Sequence, residues 1–312
     1  MANSRPETGG FFIFAISIHL CMNQLSTADR ARIIHLLVEG NSIRATCRIT
    51  GKSKNTVKKL IADAGRACHA YQDRTFLKLT CCKRIQCDEI WSFIASKEKN
   101  TSAEKKAAGS GDCWTWTALC ADTKLILDWY VGNRDATAAY HFMTSLSRRL
   151  VTRVQLTTDG HRPYLQAVED AFGTNIDYAM LIKLYGPGGP DTRYSPPTCI
   201  GAKKVPIMGK PDRKHISTSF VERQNLTIRM QMRRFTRLTN AFSKKVEYHG
   251  HALAIFFMFY NFARIHQTLR VTPAMEAGLA DHVWEIEEIV GLIDTYHERP
   301  WVWDGTLNRV TS

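Results

Sequence analysis

Residues 84–94 read Arg84-Ile-Gln-Cys-Asp-Glu-Ile-Trp-Ser-Phe-Ile94, a predicted strand that carries two carboxylates, Asp88 and Glu89. A charge in the middle of a strand is costly unless it is paired or bound to a metal ion. Periodicity cannot choose between the two acids in a strand that is covered on both faces. A strand edge or end that faces solvent would explain the same pattern without any chemistry.

The pattern on either side of this strand predicts a mixed α/β domain. Two more strands follow and form a hairpin through the tight connection Asp122-Thr-Lys124. Helices then alternate with strands, which predicts a mixed sheet with helices on both faces. The stretch 185–214 is rich in Gly and Pro and is predicted to be an irregular insertion. The other expected elements are strands at 112–121, 124–131, 154–158 and 177–184 and helices at 135–150, 161–172, 217–238, 244–264 and 273–293.

Two further acids stand out downstream. Asp159 ends an apolar run and precedes Gly160, where a turn or a helix cap is the plain reading and a ligand site at a strand end is the other. Glu222 lies near the start of a basic helix, and Ser219-Phe-Val-Glu222 also fits a capping box. Two divalent cations about 4 Å apart need several carboxylates from different elements. Asp88, Asp159 and Glu222 are therefore predicted to form one metal site.

The charge of the chain points to a polyanionic partner. The 312 residues carry a net charge of +13, yet 44% of them are hydrophobic, which predicts a globular nucleic-acid-binding protein rather than a basic tail. A basic surface that is merely solvated is the alternative. The excess is concentrated in two segments, 41–66 and 201–250.

The first basic segment has the pattern of a helix-turn-helix. A helix follows Ser26, a short helix fits 43–48, and a third begins after Ser53 and runs through Ile61. An ordinary three-helix bundle is the alternative. The side chains of the third helix that are predicted to meet the major groove and phosphates are Lys54, Asn55, Thr56 and Lys58.

The second basic segment follows Glu222. Steps of three and four place Glu222, Asn225, Arg229 and Arg233 on one helical face, which suits a carboxylate site beside a DNA backbone. The side chains predicted to hold phosphates are Arg229, Arg233, Arg234, Arg237, Lys244 and Lys245.

Residues 1–21 and the cysteines carry no predicted chemistry. The apolar run at 11–20 is too short to cross a bilayer as a helix, and we interpret residues 1–21 as a non-native leader before Met22. The nine cysteines include no Cys-x-x-Cys pair, which predicts reduced, mostly buried thiols, a cytoplasmic protein and no zinc site. The domain bounds that follow are 22–66 for the helix-turn-helix, 67–80 for a linker, 81–265 for the core and 266–312 for a helical tail.

Several strings in the chain resemble those of DDE transposases of bacterial insertion sequences, and of the IS1-type family in particular. The resemblance covers about residues 22–293. It is carried by Cys87-Asp-Glu-Ile-Trp91, Leu156-Thr-Thr-Asp-Gly-His161, Ser219-Phe-Val-Glu-Arg-Gln-Asn225, Arg233-Arg-Phe-Thr-Arg-Leu-Thr-Asn240 and Tyr260-Asn-Phe-Ala-Arg-Ile-His-Gln-Thr-Leu269.

The resemblance implies an RNase H-like core behind a helix-turn-helix, and it selects Asp88 over Glu89. It implies two Mg²⁺ (or Mn²⁺) ions on Asp88, Asp159 and Glu222, which would cut DNA at element ends and join the 3′-hydroxyl to target DNA. The implied partners are the terminal inverted repeats, the target DNA and further copies of the chain, as a homodimer or higher multimer at the nucleoid, with no membrane. The alternatives are an inactive DNA-binding regulator or relic and an RNase H-like nuclease.

Overall fold

The computed structural model describes residues 24–186, 198–236 and 239–296. Ten α-helices lie in these ranges: α1 Thr27–Val38, α2 Ile43–Thr50, α3 Lys54–Thr75, α4 Ala103–Ala107, α5 Ala136–Arg149, α6 Pro163–Phe172, α7 Ser219–Gln231, α8 Val246–Met258, α9 Pro273–Glu276 and α10 Ile286–Thr295. Six strands lie in the same ranges: β1 Arg84–Ile94, β2 Gly111–Cys120, β3 Ile126–Gly132, β4 Gln155–Thr158, β5 Asp177–Tyr185 and β6 Cys199–Met208.

The strands form one mixed sheet in the order β3-β2-β1-β4-β5-β6. β1 to β3 form an antiparallel meander, with the predicted hairpin between β2 and β3. β1 then pairs in parallel with β4, and β4 with β5, because helices connect them. This topology confirms the predicted mixed sheet and is consistent with an RNase H-like arrangement.

Helices cover both faces of this sheet, as predicted. Trp116 contacts Phe142 of α5 and Tyr164 of α6. Trp129 on β3 pairs with Thr117, the residue after Trp116, so its side chain lies on the opposite face of the sheet. Its ring contacts Phe257 of α8. The sheet therefore has an α5/α6 face and an α8 face, and both are buried.

The prediction of an irregular insertion over 185–214 is wrong in part. β6 lies within it and pairs antiparallel with β5 as the outer strand of the sheet. Gly201 and Pro206 made the segment look irregular, but an edge strand tolerates proline because its outward backbone N–H groups need no partner in the sheet. Residues 187–197 lie outside the described ranges.

The helices α1 and α2 confirm the first two predicted helices, each capped by the side chain of a serine. The third helix is longer than predicted, since α3 continues past Ile61 through most of the expected linker. Gly65 of α3 packs against His251 of α8, where an added Cβ would lie 2.4 Å from the His251 Cβ. The three helices thus share one hydrophobic core with the sheet, and a separate helix-turn-helix domain stays a prediction.

The long helices expected after residue 217 are shorter in the structure. α7 ends at Gln231, and Arg233–Phe235 form a 3₁₀ turn instead of continuing it. α8 passes into a π-helical turn over Phe259–Ala263. The tail is divided into α9 and α10. Arg233 therefore leaves the helical face that Glu222, Asn225 and Arg229 share.

The cysteines that the structure describes are free thiols, and several of them are buried, as predicted. Within the described ranges no helix has both the length and the apolar character needed to cross a membrane.

Candidate active site

The acids lie where β1 and β4 diverge, at the carboxyl end of β4. β1 pairs with β4 only over Arg84–Gln86, so Asp88 lies just beyond the end of that pairing. Asp159 directly follows Thr158, the last residue of β4. The carboxyl ends of parallel strands are the usual ligand-binding edge of an α/β sheet, because the chains diverge there. Two of the three predicted acids are thus brought together by the topology of the sheet.

Three carboxylates form a compact cluster at this edge. Asp88, Glu89 and Asp159 each offer one oxygen, and these oxygens all lie within 4.8 Å of one another. Carboxylate oxygens are the hard ligands that Mg²⁺ and Mn²⁺ prefer. The donor set and its spacing therefore fit a divalent cation. Glu222 contributes no oxygen to this cluster.

The pleat of β1 separates Asp88 from Glu89. Asp88 pairs across the sheet with Thr117, and Glu89 pairs with Trp116, which belongs to the α5/α6 face. The Oδ2 atom of Asp88 accepts a hydrogen bond of 2.9 Å from the side chain of Asn225, on α7. Asp88 therefore faces α7, and Glu89 faces the opposite helical layer.

Both oxygens of Glu89 are already occupied by protein donors. The hydroxyl of Tyr164 donates to Oε1, and Arg134 Nε donates to Oε2 at 3.0 Å. The Glu89 carboxylate is almost fully buried, with 1% of its side chain exposed. Asp88 also accepts two hydrogen bonds, from the backbone N–H of Glu89 and from Asn225, but it is half-buried where Glu89 is buried, so Asp88 is the more accessible of the two to a ligand.

Burial raises the pKa of both neighbouring acids. The pKa of Asp88 rises to about 6, first because the carboxylate is desolvated and then because Asp159 and Glu222 add negative charge. The pKa of Glu89 rises to about 7 through desolvation and the charge of Asp159, against the hydrogen bond from Tyr164. A bound cation would stabilise the ionised form of these carboxylates, so the cluster is a candidate cation site.

Asp159 holds its own turn and also faces the cluster. Its Oδ1 accepts from the backbone N–H of His161 at 2.9 Å, as expected for an Asp-Gly turn. It does not cap the next helix, since α6 begins with Arg162 as its N-cap. The other oxygen, Oδ2, accepts from Arg134 at 3.2 Å. One oxygen of Asp159 therefore stabilises the Asp-Gly turn, and the other faces the carboxylate cluster.

Glu222 is not a helix cap, contrary to the capping-box reading. α7 begins at Ser219 with Thr218 as its N-cap, so Glu222 lies one turn inside the helix. Its carboxylate accepts from the Thr218 hydroxyl and forms a 2.6 Å ion pair with Lys183 on β5. Its charge is close enough to Asp88 to raise that pKa. Glu222 thus lies beside the cluster but is paired with a lysine.

Sequence reasoning missed Arg134, which joins two of the clustered acids. Its guanidinium donates to both Glu89 and Asp159, and it lies over the ring of Trp114 with 5.0 Å between Cζ and the ring centroid. Arg134 follows β3 in a loop, where an arginine gives no recognisable signal. Only the folded sheet brings it to acids that are 45 and 25 residues away in the chain.

The residues predicted to contact DNA on the third helix are of two kinds. Lys54 and Asn55 are exposed at the start of α3. Thr56 is tied to the cap Ser53, whose hydroxyl lies 2.8 Å from its own. Lys58 lies over the ring of Tyr248 on α8, at 5.0 Å from Nζ to the centroid. Lys54 and Asn55 are therefore the more available pair.

The basic residues after Glu222 are also divided by the structure. Arg233, Lys244 and Lys245 are exposed, and Arg229 is half-buried on α7. Arg234 turns inward and donates to the hydroxyl of Ser243 at 2.8 Å, and burial lowers its pKa to about 10. Arg234 is half-buried and bonded to Ser243, and its predicted contact with phosphate stays a prediction.

Arg237, another predicted phosphate contact, lies outside the described residues. The roles predicted for the acids and for the remaining basic residues stay predictions, because the structure gives their positions and not their ligands.

Three solved structures of transposases are similar to this chain at low identity. The Mos1 transposase paired-end complex with the left transposon end is 14% identical, with 50% of this chain and 59% of that chain covered and a TM-score of 0.23. This chain thus spans less than two thirds of that Mos1 chain. The piggyBac transposase synaptic complex with hairpin DNA is 11% identical, with 89% and 73% covered and a TM-score of 0.36. The Mos1 strand transfer complex is 13% identical, with 75% and 77% covered and a TM-score of 0.22.

No family model matches the chain, and no curated protein does either. TM-scores this low assign neither a fold nor an activity. The IS1-type resemblance therefore stays a prediction.

Proposed function

We propose that this protein is a DDE-type transposase, which cuts DNA at the ends of a mobile element and joins the freed 3′-hydroxyl to target DNA. The proposal rests on the carboxylate cluster at the carboxyl end of β4, where β1 and β4 diverge. Asp88 and Asp159 meet there beside Glu222. The basic surface of the chain, with its net charge of +13, supplies the attraction for DNA.

Asp88, Asp159 and Glu222 would hold two divalent cations, Mg²⁺ or Mn²⁺. The cations would supply a deprotonated water and neutralise charge at the attacking and leaving oxygens of a phosphodiester. Asn225 orients Asp88 through its 2.9 Å hydrogen bond. The Glu222–Lys183 ion pair keeps Glu222 beside the cluster, and its release would free one carboxylate for a cation and one ammonium for a phosphate.

Arg134 and Glu89 support this site rather than bind the cations. In the metal-free protein the guanidinium of Arg134 pairs with Glu89 and Asp159. Its positive charge offsets the repulsion between three carboxylates in a small volume. Tyr164 fixes the carboxylate of Glu89 from the α6 side. Glu89 is therefore a positioning residue for Arg134, whose guanidinium can in turn face a DNA phosphate.

The test is Mg²⁺-dependent cleavage of plasmid DNA that carries the sequences flanking the gene. Glu222→Gln, Asp88→Asn and Asp159→Asn should each abolish nicking and strand transfer and leave DNA binding intact. Glu169→Gln, a matched change at an exposed position of α6, should retain full activity. Normal cutting by Glu222→Gln would remove Glu222 from the site.

The same assay separates the alternatives. A wild-type protein that binds the flanking DNA with no cleavage in Mg²⁺ or Mn²⁺ would be a regulator or relic. Cleavage of branched DNA without any joined product would instead identify a nuclease. Terminal inverted repeats bordered by short direct duplications around the gene would support transposition.

A further inference from the structure

Three aromatic side chains lie together on the sheet beyond the carboxylate cluster. Trp91 and Phe93 are two residues apart on β1, and their ring centroids are 5.8 Å apart. Trp114 lies directly across from Trp91 on β2, so its side chain is on the same face. All three are only half-buried, unlike Trp116 deeper in the same face. We call Trp91, Phe93 and Trp114 the aromatic platform.

Two cations lie over the rings of this platform. Lys97 Nζ is 5.7 Å from the centroid of Trp91, and Arg134 Cζ is 5.0 Å from that of Trp114. Lys97 is exposed, as are Lys99 in the turn after β1 and Lys105 in α4. Aromatic faces beside cations are the combination that binds single-stranded nucleic acid, because the bases stack and the phosphates are neutralised.

The platform continues directly from the acids. Trp91 is two residues after Glu89 on the same face of β1, a distance of roughly 7 Å along a strand. That distance is about two stacked nucleotides at 3.4 Å each. Arg134 joins the two regions, since one guanidinium contacts Glu89, Asp159 and the ring of Trp114. A DNA strand with a phosphate at the acids would therefore pass over the platform with its next bases.

We propose that the aromatic platform stacks unpaired bases of the DNA strand whose backbone lies at the carboxylate cluster. The proposal rests on the proposed function and names the form of its substrate, which is DNA with a short single-stranded segment beside the reacting phosphate. Paired bases cannot occupy the platform, since in a duplex their faces are covered by the neighbouring base pairs. A protein partner fits the site less well, because the surface is cationic as well as aromatic.

The experiment compares two 12-nucleotide probes of equal charge, oligothymidylate and its fully abasic counterpart, in the absence of divalent metal. The protein should bind oligothymidylate more tightly than the abasic strand. Trp114→Ala and Trp91→Ala should each weaken oligothymidylate binding roughly ten-fold, the effect of losing one stacked base. Neither change should alter binding of the abasic strand, whose phosphates still meet Lys97 and Arg134.

Two control variants distinguish loss of base stacking from misfolding and from the loss of any exposed aromatic ring. Trp114→Phe keeps an aromatic face and should retain most of the preference for bases. Tyr140→Ala removes an exposed aromatic ring from α5 and should change nothing. Equal binding of both probes by the wild type, or an unchanged preference in Trp114→Ala, would overturn the proposal.

Because the probes carry no cleavable element end and no metal is added, this outcome is independent of catalysis. A wild type that cleaves element ends but shows no preference for oligothymidylate over the abasic strand would refute the platform alone. Intact stacking without cleavage would refute the proposed function and leave a single-strand binding surface.

Discussion

Asp88 carries its negative charge where the protein offers it little solvation. Within the part of the chain that the structure describes, its hydrogen-bond donors are Asn225 and the backbone N–H of Glu89, while Asp159 and Glu222 repel it. Asn225 has a spare acceptor, since its buried Oδ1 has no hydrogen-bond partner among the described residues. A neutral asparagine at position 88 could donate to that oxygen after a flip of the Asn225 amide. The site therefore trades stability for the ability to bind a cation.

Asp88→Asn should stabilise the metal-free protein at neutral pH. The pKa of Asp88 is about 6 in the folded protein against 3.8 ordinarily, so the folded state binds more protons between these values. The stability of the wild type therefore falls as pH rises through this window, and the asparagine variant escapes that loss. We expect a gain on the order of 3 kcal/mol above pH 6 that disappears below about pH 4.

Urea unfolding of the metal-free protein at pH 4, 6 and 8 measures this gain. Asp170→Asn, an exposed change on α6, serves as the control and should show no comparable pH dependence. A variant that is less stable than the wild type at pH 8 would show that Asp88 is held by its hydrogen bonds rather than strained by its charge.

At the scale of elements, the junction of α3 and α8 depends on one small residue. The Cβ of an alanine at Gly65 would lie 2.4 Å from His251 Cβ and 2.6 Å from His251 Cα. Backbone and Cβ atoms cannot move aside as the tip of a flexible side chain can. Helix α3 can therefore approach α8 this closely only with glycine at position 65.

Gly65→Ala should destabilise the protein by about 1–3 kcal/mol, the usual cost of overpacking, although alanine is the better helix former. Gly291→Ala in α10 is the matched control, because no atom lies within 4 Å of its added Cβ. That change should stabilise by about 0.5–1 kcal/mol. Denaturant midpoints of the two variants against the wild type decide the matter, and a neutral Gly65→Ala would mean that the two helices can separate freely.

The elements near the site differ in how far local sequence predicts them. β1 to β5 have dense β-branched and aromatic runs with clear turns between them, so their bounds were predicted within a few residues. β6 was missed because Gly201 and Pro206 are tolerated only by virtue of its edge position, which is a property of the whole sheet. Lys183, Arg134 and Tyr164 were missed for a related reason, since their partners at the acids are distant in sequence.

At the scale of the whole molecule, the positive charge should govern DNA affinity through its dependence on salt. Lys54→Gln on α3 and Lys244→Gln before α8 each remove an exposed cation predicted to meet phosphate. Each change should weaken DNA binding and lower the slope of log affinity against log salt by about one. Fluorescence anisotropy with duplex DNA between 50 and 300 mM salt, values on the order of the physiological range, gives these slopes.

Arg148→Gln is the charge-matched control for this series. Arg148 is exposed in the last turn of α5, which leads to the amino-terminal edge of β4, the edge opposite the acids. Its loss should leave the slope unchanged. Equal slopes for all three variants would mean that DNA is attracted by the net charge rather than by the predicted surfaces.

The length of α3 has a consequence for the spacing of the predicted DNA contacts. This helix of 22 residues is about 33 Å long, close to ten base pairs of B-form DNA. It begins at Lys54, where the sequence predicts contact with DNA, and its later turns are packed on α8. If Lys54 contacts DNA as predicted, the close packing of α3 on α8 fixes the position of that contact relative to the sheet, so the recognised bases and the cut phosphate would be separated by a fixed number of base pairs. An element end with one base pair added between them should be bound as well as before and cut at a displaced position.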